Sequence, residues 1–179
     1  KGSISSSVPF DYFPFPVEDV GKMTIDIVDD VDKNYELWKV CRELNLLQTD
    51  CEVLYRPFET LSNGERTKVM LAVLFSKESS FLLIDEPTNH LDMEAREVLA
   101  TYLKKKKGFI LVSHDRYFLD QCIDHVMSIN KADIDVVQGN FSSWWENKNR
   151  QDAYELAENE RLKGDIKRLT QAAKQKERW

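Results

Sequence analysis

The chain has 179 residues, of which 42% are hydrophobic and 31% charged, and it carries a net charge of −6. That length and mix suit one ordinary domain with an appendage and exclude wholesale disorder. No apolar run nears the roughly 20 residues that cross a bilayer, and no signal-peptide pattern opens the chain, so no membrane insertion is expected.

The chain starts at "KGSISSSVPF" without a methionine, and it is expected to be part of a longer protein. "VPFDYFPF" reads as a strand running into a loop broken by proline. In "KNYELWKVCRELNLL", Leu37, Val40, Leu44 and Leu47 stand at helical spacing and predict an amphipathic helix. "FLLI" at 81–84 and "FILVS" at 109–113 are short, apolar at consecutive positions and separated by a helix-compatible segment. Such runs predict strands of a parallel sheet buried on both faces. "HVMSI" and "IDVVQGN" predict a hairpin closing around Asn130-Lys131-Ala132-Asp133. Cys41, Cys51 and Cys122 are odd in number and lack metal-ligand spacing, so they read as free thiols of a reducing cytoplasm.

From Phe141 to Trp179 there is no proline and a single glycine, Gly164. Leu162, Ile166, Leu169 and Ala173 form a narrow stripe there, the pattern of one arm of an antiparallel coiled coil. A helix over that length extends about 58 Å. From Arg161 onward seven Lys/Arg face two acidic residues, a balance of +5 that leaves −11 for the rest of the chain. An acidic body with a basic arm is the result, and such an arm suits contacts to phosphate. The body is read as 1–140 and the arm as 141–179.

Four short stretches carry chemistry. Ser62-Asn63-Gly64-Glu65 has the S-x-x-E form of a capping box before the periodic run "RTKVMLAVLF". A helix N-terminus opened by Ser and Gly presents N–H groups and a partial positive charge to an anion. In "FLLIDEP", Asp85 and Glu86 follow an apolar strand, where ligands of open parallel sheets bind. The first carboxylate suits Mg²⁺ held through its waters, and the second suits a base for an attacking water. His114 tops the other apolar strand in "FILVSHD", at the same expected edge, where an imidazole could bond a γ-phosphate. Asp92 of "TNHLD" is placed to cap the helix "MEAREVLATYL", at the end of a loop that starts at Glu86. His125 reads as structural.

In this order, "LSNGE", "FLLIDEP", "TNHLD" and "VSHD" resemble the signature motif, Walker B strand, D-loop and switch histidine of the ATP-binding cassette superfamily. The resemblance covers Lys1 to about Gly139. It implies an α/β fold, a partial cassette with a mainly parallel sheet and helices, followed by a long helical arm. "EPTNHLD", "SHDRYFLD" and "GNFSSWWENK", followed by a charged helix ending in "KQKERW", resemble the ABC-F subfamily more closely. That subfamily carries two cassettes on one chain, has no membrane domains, and acts on ribosomes, with a linker reaching toward tRNA; some members protect ribosomes from antibiotics. The resemblance implies ATP and Mg²⁺ as cofactors and a cytoplasmic location. It makes a second cassette of the same chain and the ribosome the partners. It assigns Asp85 to Mg²⁺, Glu86 to general base and His114 to the γ-phosphate and water. Ser62, Asn63, Gly64 and Glu65, with Asp92 in the D-loop, would face nucleotide held by the other cassette.

The sequence departs from the family in three places. The Gly-rich loop G-x-x-x-x-G-K-[ST] is absent and is expected before Lys1, so residues 1–179 alone are expected not to hydrolyse ATP. Asn63 and Glu65 stand where the signature usually has Gly and Gln, and Phe15 stands where a Gln is expected after "YFP". Other readings of the same motifs are an energy-coupling subunit of a membrane transporter, a chromosome-maintenance cassette, or a non-catalytic interaction module. The first leaves the arm without a purpose, and the second places its coiled coil before the signature rather than after the last strand.

Overall fold

The computed structural model describes residues 5–77, 80–130 and 133–176, with side chains described as far as residue 170. The expected hairpin turn at Lys131-Ala132, the arm side chains beyond 170 and residues 177–179 lie outside that description. The chain divides into two compact units, Lys1–Cys122 and Ile123–Trp179.

In the first unit, β1 (Phe10–Phe13) is followed by α1 (Thr24–Val31) and α2 (Leu37–Leu46), then α3 (Asn63–Ser76) and β2 (Phe81–Asp85). α4 (Met93–Leu103), β3 (Phe109–Val112) and α5 (Arg116–Cys122) complete it. The strands form one parallel sheet in the order β1-β2-β3, with Phe10 opposite Phe81 and Leu82 opposite Phe109. α1 occupies a stretch where the sequence predicts no element. Its charged, β-branched "TIDIVDDV" is a poor helix former, and burial of Ile27 and Val28 decides it.

Side chains alternate across a strand, so Asp11, Phe13, Leu82, Ile84 and Phe109 share one face of the sheet. That face is covered. Lys77 at the end of α3 pairs with Asp11 at 3.3 Å, and Phe75 meets Phe109 and Tyr102 edge-on at 6.2 and 5.4 Å between centroids. The other face carries Phe10, Tyr12, Ile110 and Val112, all exposed. The expectation of strands buried on both faces is therefore corrected: among the described residues only one face is covered.

The core lies between that face and the helices. Val40, Leu44 and Leu47 of the predicted amphipathic stripe are buried beside Leu71 and Leu74, whereas Leu37 is exposed. One charge is buried with them. The Glu43 side chain is 1% exposed and accepts bonds from Tyr102 Oη at 2.7 Å, from Arg42 at 3.0 Å and from Lys106 Nζ. Burial alone would raise the Glu43 pKa, but the Lys106, Tyr102 and Arg42 donors outweigh it and hold the carboxyl below its usual range. This cluster fastens α2 to α4.

The cysteine reading is also corrected. Cys41 and Cys51 form a disulfide with Cα atoms 5.2 Å apart, because the chain turns back after α2. Only Cys122 is free, and burial pushes its thiol up to about 12.

The second unit holds the predicted hairpin, β4 (His125–Ile129) paired antiparallel with β5 (Ile134–Gln138), and then α6 (Phe141–Lys176). Gly139, at φ 140°, makes the turn into α6, and Asn140 caps that helix by accepting from Ser143 N at 3.0 Å. At 36 residues α6 is about 54 Å long. Every described side chain of α6 after Lys148 is exposed, the Leu162, Ile166 and Leu169 stripe included.

Candidate nucleotide site

The strands of the first unit run parallel, so their carboxyl ends share one edge, and Asp85, Glu86 and His114 lie along it. β2 ends at Asp85 beside Val112 of β3, and Glu86 N donates to Val112 O at 2.9 Å. Glu86 then takes φ 47°, a conformation uncommon for a residue with a side chain, found where function demands a particular direction. His114, two residues beyond the end of β3, lies beside it: His114 Nε2 is 3.6 Å from Glu86 Oε1. The imidazole is 98% exposed and the glutamate side chain 22%.

At 3.6 Å this contact is too long for a hydrogen bond. Glu86 Oε1 is itself buried and without any hydrogen-bond partner. Leaving such an oxygen unmet costs about 1–3 kcal/mol. The atom is thus a strong acceptor, short of a donor, beside an imidazole with room to move.

Asp85 has a partner that the sequence reading missed. Tyr12 Oη donates to Asp85 Oδ2 at 2.8 Å across the sheet. The bond and the carboxylate charge raise the Tyr12 pKa, which keeps the phenol a donor. No spacing rule links residues 73 apart, so only the parallel register of β1 on β2 brings them together. Among the described residues no cluster of three His, Cys, Asp or Glu could cage a metal. One carboxylate with a tyrosine partner suits Mg²⁺ that arrives on a phosphate and keeps several waters, and does not suit a resident ion.

The Ser62–Glu65 turn forms the predicted capping box. Glu65 N donates to Ser62 Oγ at 3.2 Å and Ser62 N donates to Glu65 Oε2 at 2.7 Å. Burial opposes ionisation of Glu65, but the Ser62 bonds and the nearby Arg56 guanidinium lower its pKa. Its carboxylate meets both the Ser62 N–H and the Arg56 guanidinium. Gly64 lies against the D-loop: a Cβ at Gly64 would sit 3.5 Å from Leu91 Cδ2, an ordinary contact. Asp92 caps α4, accepting from Ala95 N at 2.8 Å. His90 takes φ 65° within the same loop. His125 lies on β4 and pairs with Asp124 at 3.0 Å.

The structure therefore places Asp85, Glu86 and His114 together at one strand edge, and Gly64 against the Leu91 turn. Besides Tyr12, the sequence reading gave no role to Thr88 of "TNHLD", Ser113 of "VSHD" or Arg96 of α4. Thr88 is buried with its Oγ1 3.5 Å from Ser113 Oγ.

The chain is similar to several known proteins. A family model described as "ABC transporter" matches residues 7–89. The chain is 33% identical over 164 residues to the energy-dependent translational throttle protein EttA of Mycobacterium tuberculosis, covering 90% of this chain and 28% of that protein. It is 40% identical over 113 residues to EttA of Haemophilus influenzae, covering 62% and 20%. It is 36% identical over 115 residues to the ribosome protection protein VmlR of Bacillus subtilis, covering 64% and 21%. The chain thus spans less than a third of each of these relatives' lengths. Among solved structures, a metal-chelate type ABC transporter matches with a TM-score of 0.60 at 18% identity, over 77% of this chain and 62% of that one. An RNase-L inhibitor matches with a TM-score of 0.59 at 22% identity, over 86% and 32%. These two likenesses concern the fold.

Proposed function

We propose that the chain forms part of a cassette ATPase of the ATP-binding cassette superfamily, in its ABC-F branch, that acts on the ribosome. The observation that carries the reading is the buried, unpartnered Glu86 Oε1 beside the exposed His114. A general base needs an acceptor that no other donor has taken, and Glu86 Oε1 is such an oxygen. His114 holds the water and the terminal phosphate in place. Asp85, bonded by Tyr12, would hold Mg²⁺. The ion, when bound with ATP, spreads the charge that develops on the phosphoryl oxygens.

The N-terminus of α3, with Ser62, Asn63 and Gly64, faces nucleotide held by a second cassette of the same chain. Glu65 secures that turn, and Asp92 secures the end of the D-loop. No Gly-rich loop of the G-x-x-x-x-G-K-[ST] form stands among residues 1–179. The helix α6 forms one arm of an antiparallel coiled coil that approaches ribosomal RNA or tRNA. The relatives named for action on translation and for ribosome protection support this over the transporter reading. No described helix is long and apolar enough to cross a membrane. A cytoplasmic location follows from the ribosome partner, and the Cys41–Cys51 bridge is unusual for that compartment.

The test is Glu86→Gln in the intact protein, with whatever precedes Lys1 and follows Trp179. Loss of a general base lowers turnover about 10²–10⁴-fold. ATP binding is retained, and ATP-dependent co-sedimentation with ribosomes persists longer than in the parent. Unchanged turnover removes Glu86 from this role, and no ATP-dependent co-sedimentation in either protein removes the ribosome.

A further inference from the structure

Beyond the Glu86–Val112 bond the two strand-end loops part, one running to α4 and the other to α5, and a single guanidinium spans them again. Arg96 of α4 donates from Nε to the carbonyl of Leu91 at 3.0 Å and from Nη1 to Asp115 Oδ2 at 3.0 Å. We propose that Arg96 is a positioning residue that keys the Leu91 turn to the loop carrying His114, so that the Ser62–Gly64 turn and the Glu86–His114 pair keep one fixed relation. The proposal rests on the ATPase reading above.

Each end of the strut is itself anchored. Asp115 accepts from Phe118 N at 3.0 Å through its other oxygen, and its own N–H donates to Ser113 Oγ at 3.1 Å. His114 therefore stands between two residues held by named bonds, although its imidazole is 98% exposed. At the other end Leu91 is 5% exposed, and its Cδ2 is the nearest atom a Cβ on Gly64 would meet. The path from the α3 turn to the histidine runs Gly64, Leu91, Arg96, Asp115, His114. The neighbouring Thr88–Ser113 contact, at 3.5 Å, is too long to replace it.

Arg96 and Asp115 side chains are 44% and 21% exposed. An ion pair so open to water adds little to stability. The pair is nonetheless geometrically demanding, because two edges of one planar group must meet a carbonyl and a carboxylate at once. A lysine offers a single compact charge and cannot hold both partners at those positions. Stability and positioning therefore separate, which makes the proposal testable.

The experiment measures ATP turnover by the intact protein for the parent, Arg96→Ala, Arg96→Lys, Asp115→Asn and the pair Arg96→Ala/Asp115→Asn, with Glu86→Gln alongside. Asp115→Asn can keep Oδ1 as the acceptor for Phe118 N and puts an N–H donor in place of the oxygen that meets Arg96. A misplacement of about 1 Å can cost roughly 100-fold in rate, and a loosened loop costs less, so Arg96→Ala is expected to lower kcat about tenfold. KM for ATP and the melting temperature stay near the parent's, Arg96→Lys recovers part of the loss, and the pair is no slower than the worse single variant. Unchanged kcat in Arg96→Ala, additive losses in the pair, or a melting temperature that falls in step with kcat overturns the proposal. Should Arg96→Ala fail to fold, Arg96→Lys and Asp115→Asn are read by the same criteria. A parent without turnover, or Glu86→Gln at the parent rate, sinks the ATPase reading and this one with it. An inactive Glu86→Gln beside a normal Arg96→Ala sinks this one alone.

Discussion

The two compact units are stabilised in different ways. Every buried apolar residue described lies between Phe13 and Cys122. In the unit from Ile123 onward no described residue is buried. There the hairpin leaves Ile129, Ile134 and Val136 exposed, and α6 carries Leu156, Leu162, Ile166 and Leu169 on its surface. The first unit is secured by removal of apolar surface from water, and the second by local terms. Those terms are visible in α6: the Asn140 cap, the Phe141, Trp144 and Trp145 cluster, and pairs such as Lys148–Asp152 at 3.3 Å. Each i,i+4 pair adds only about 0.2–0.5 kcal/mol. The catalytic candidates sit in the unit that packing makes rigid, where distances of a few ångströms can be held.

The contrast predicts a graded series. Leu71→Ala opens a cavity in the core and should cost about 2–5 kcal/mol, read as a lowered urea midpoint of the intact protein. An effect below about 1 kcal/mol would mean that the first unit does not depend on burial. Next comes Glu43. Its pKa is depressed in the folded state, so its contribution is fully present above the unfolded value of about 4.3 and is lost as pH falls through the lower folded value. Glu43→Gln should remove that acid-linked loss and lower neutral stability by about 2 kcal/mol, less than for a fully enclosed pair because Arg42 is partly exposed. Acid unfolding curves that superimpose would deny the cluster its role. Smallest is Gly164→Ala. A Cβ there meets nothing within 4 Å, so α6 should gain about 0.5–1 kcal/mol, seen as helical circular dichroism retained to higher temperature. A loss of helix instead would show that Gly164 is needed for something other than local propensity.

Much of this molecule was legible in its residues. The capping box is complete within four positions, so its bonds depend on almost nothing distant. Val40, Leu44 and Leu47 declared the inner face of α2, and two apolar runs declared β2 and β3. Other features were not legible. The apolar runs could not distinguish one covered face from two, because Ile110 and Val112 read alike in either case. A separation of ten residues gave no hint that Cys41 would meet Cys51. α1 owes its helix to Ile27 and Val28 finding a core.

By itself, then, the sequence determined the motifs and the elements that carry them, since capping, periodicity and turn chemistry act over a few residues. The tertiary structure alone decided which side chains meet. Tyr12 reaches Asp85, Arg96 reaches Asp115, and His114 stops 3.6 Å short of Glu86. Each of those approaches is the summed outcome of strand register and helix packing across the whole unit, and no local pattern encodes a distance of that kind.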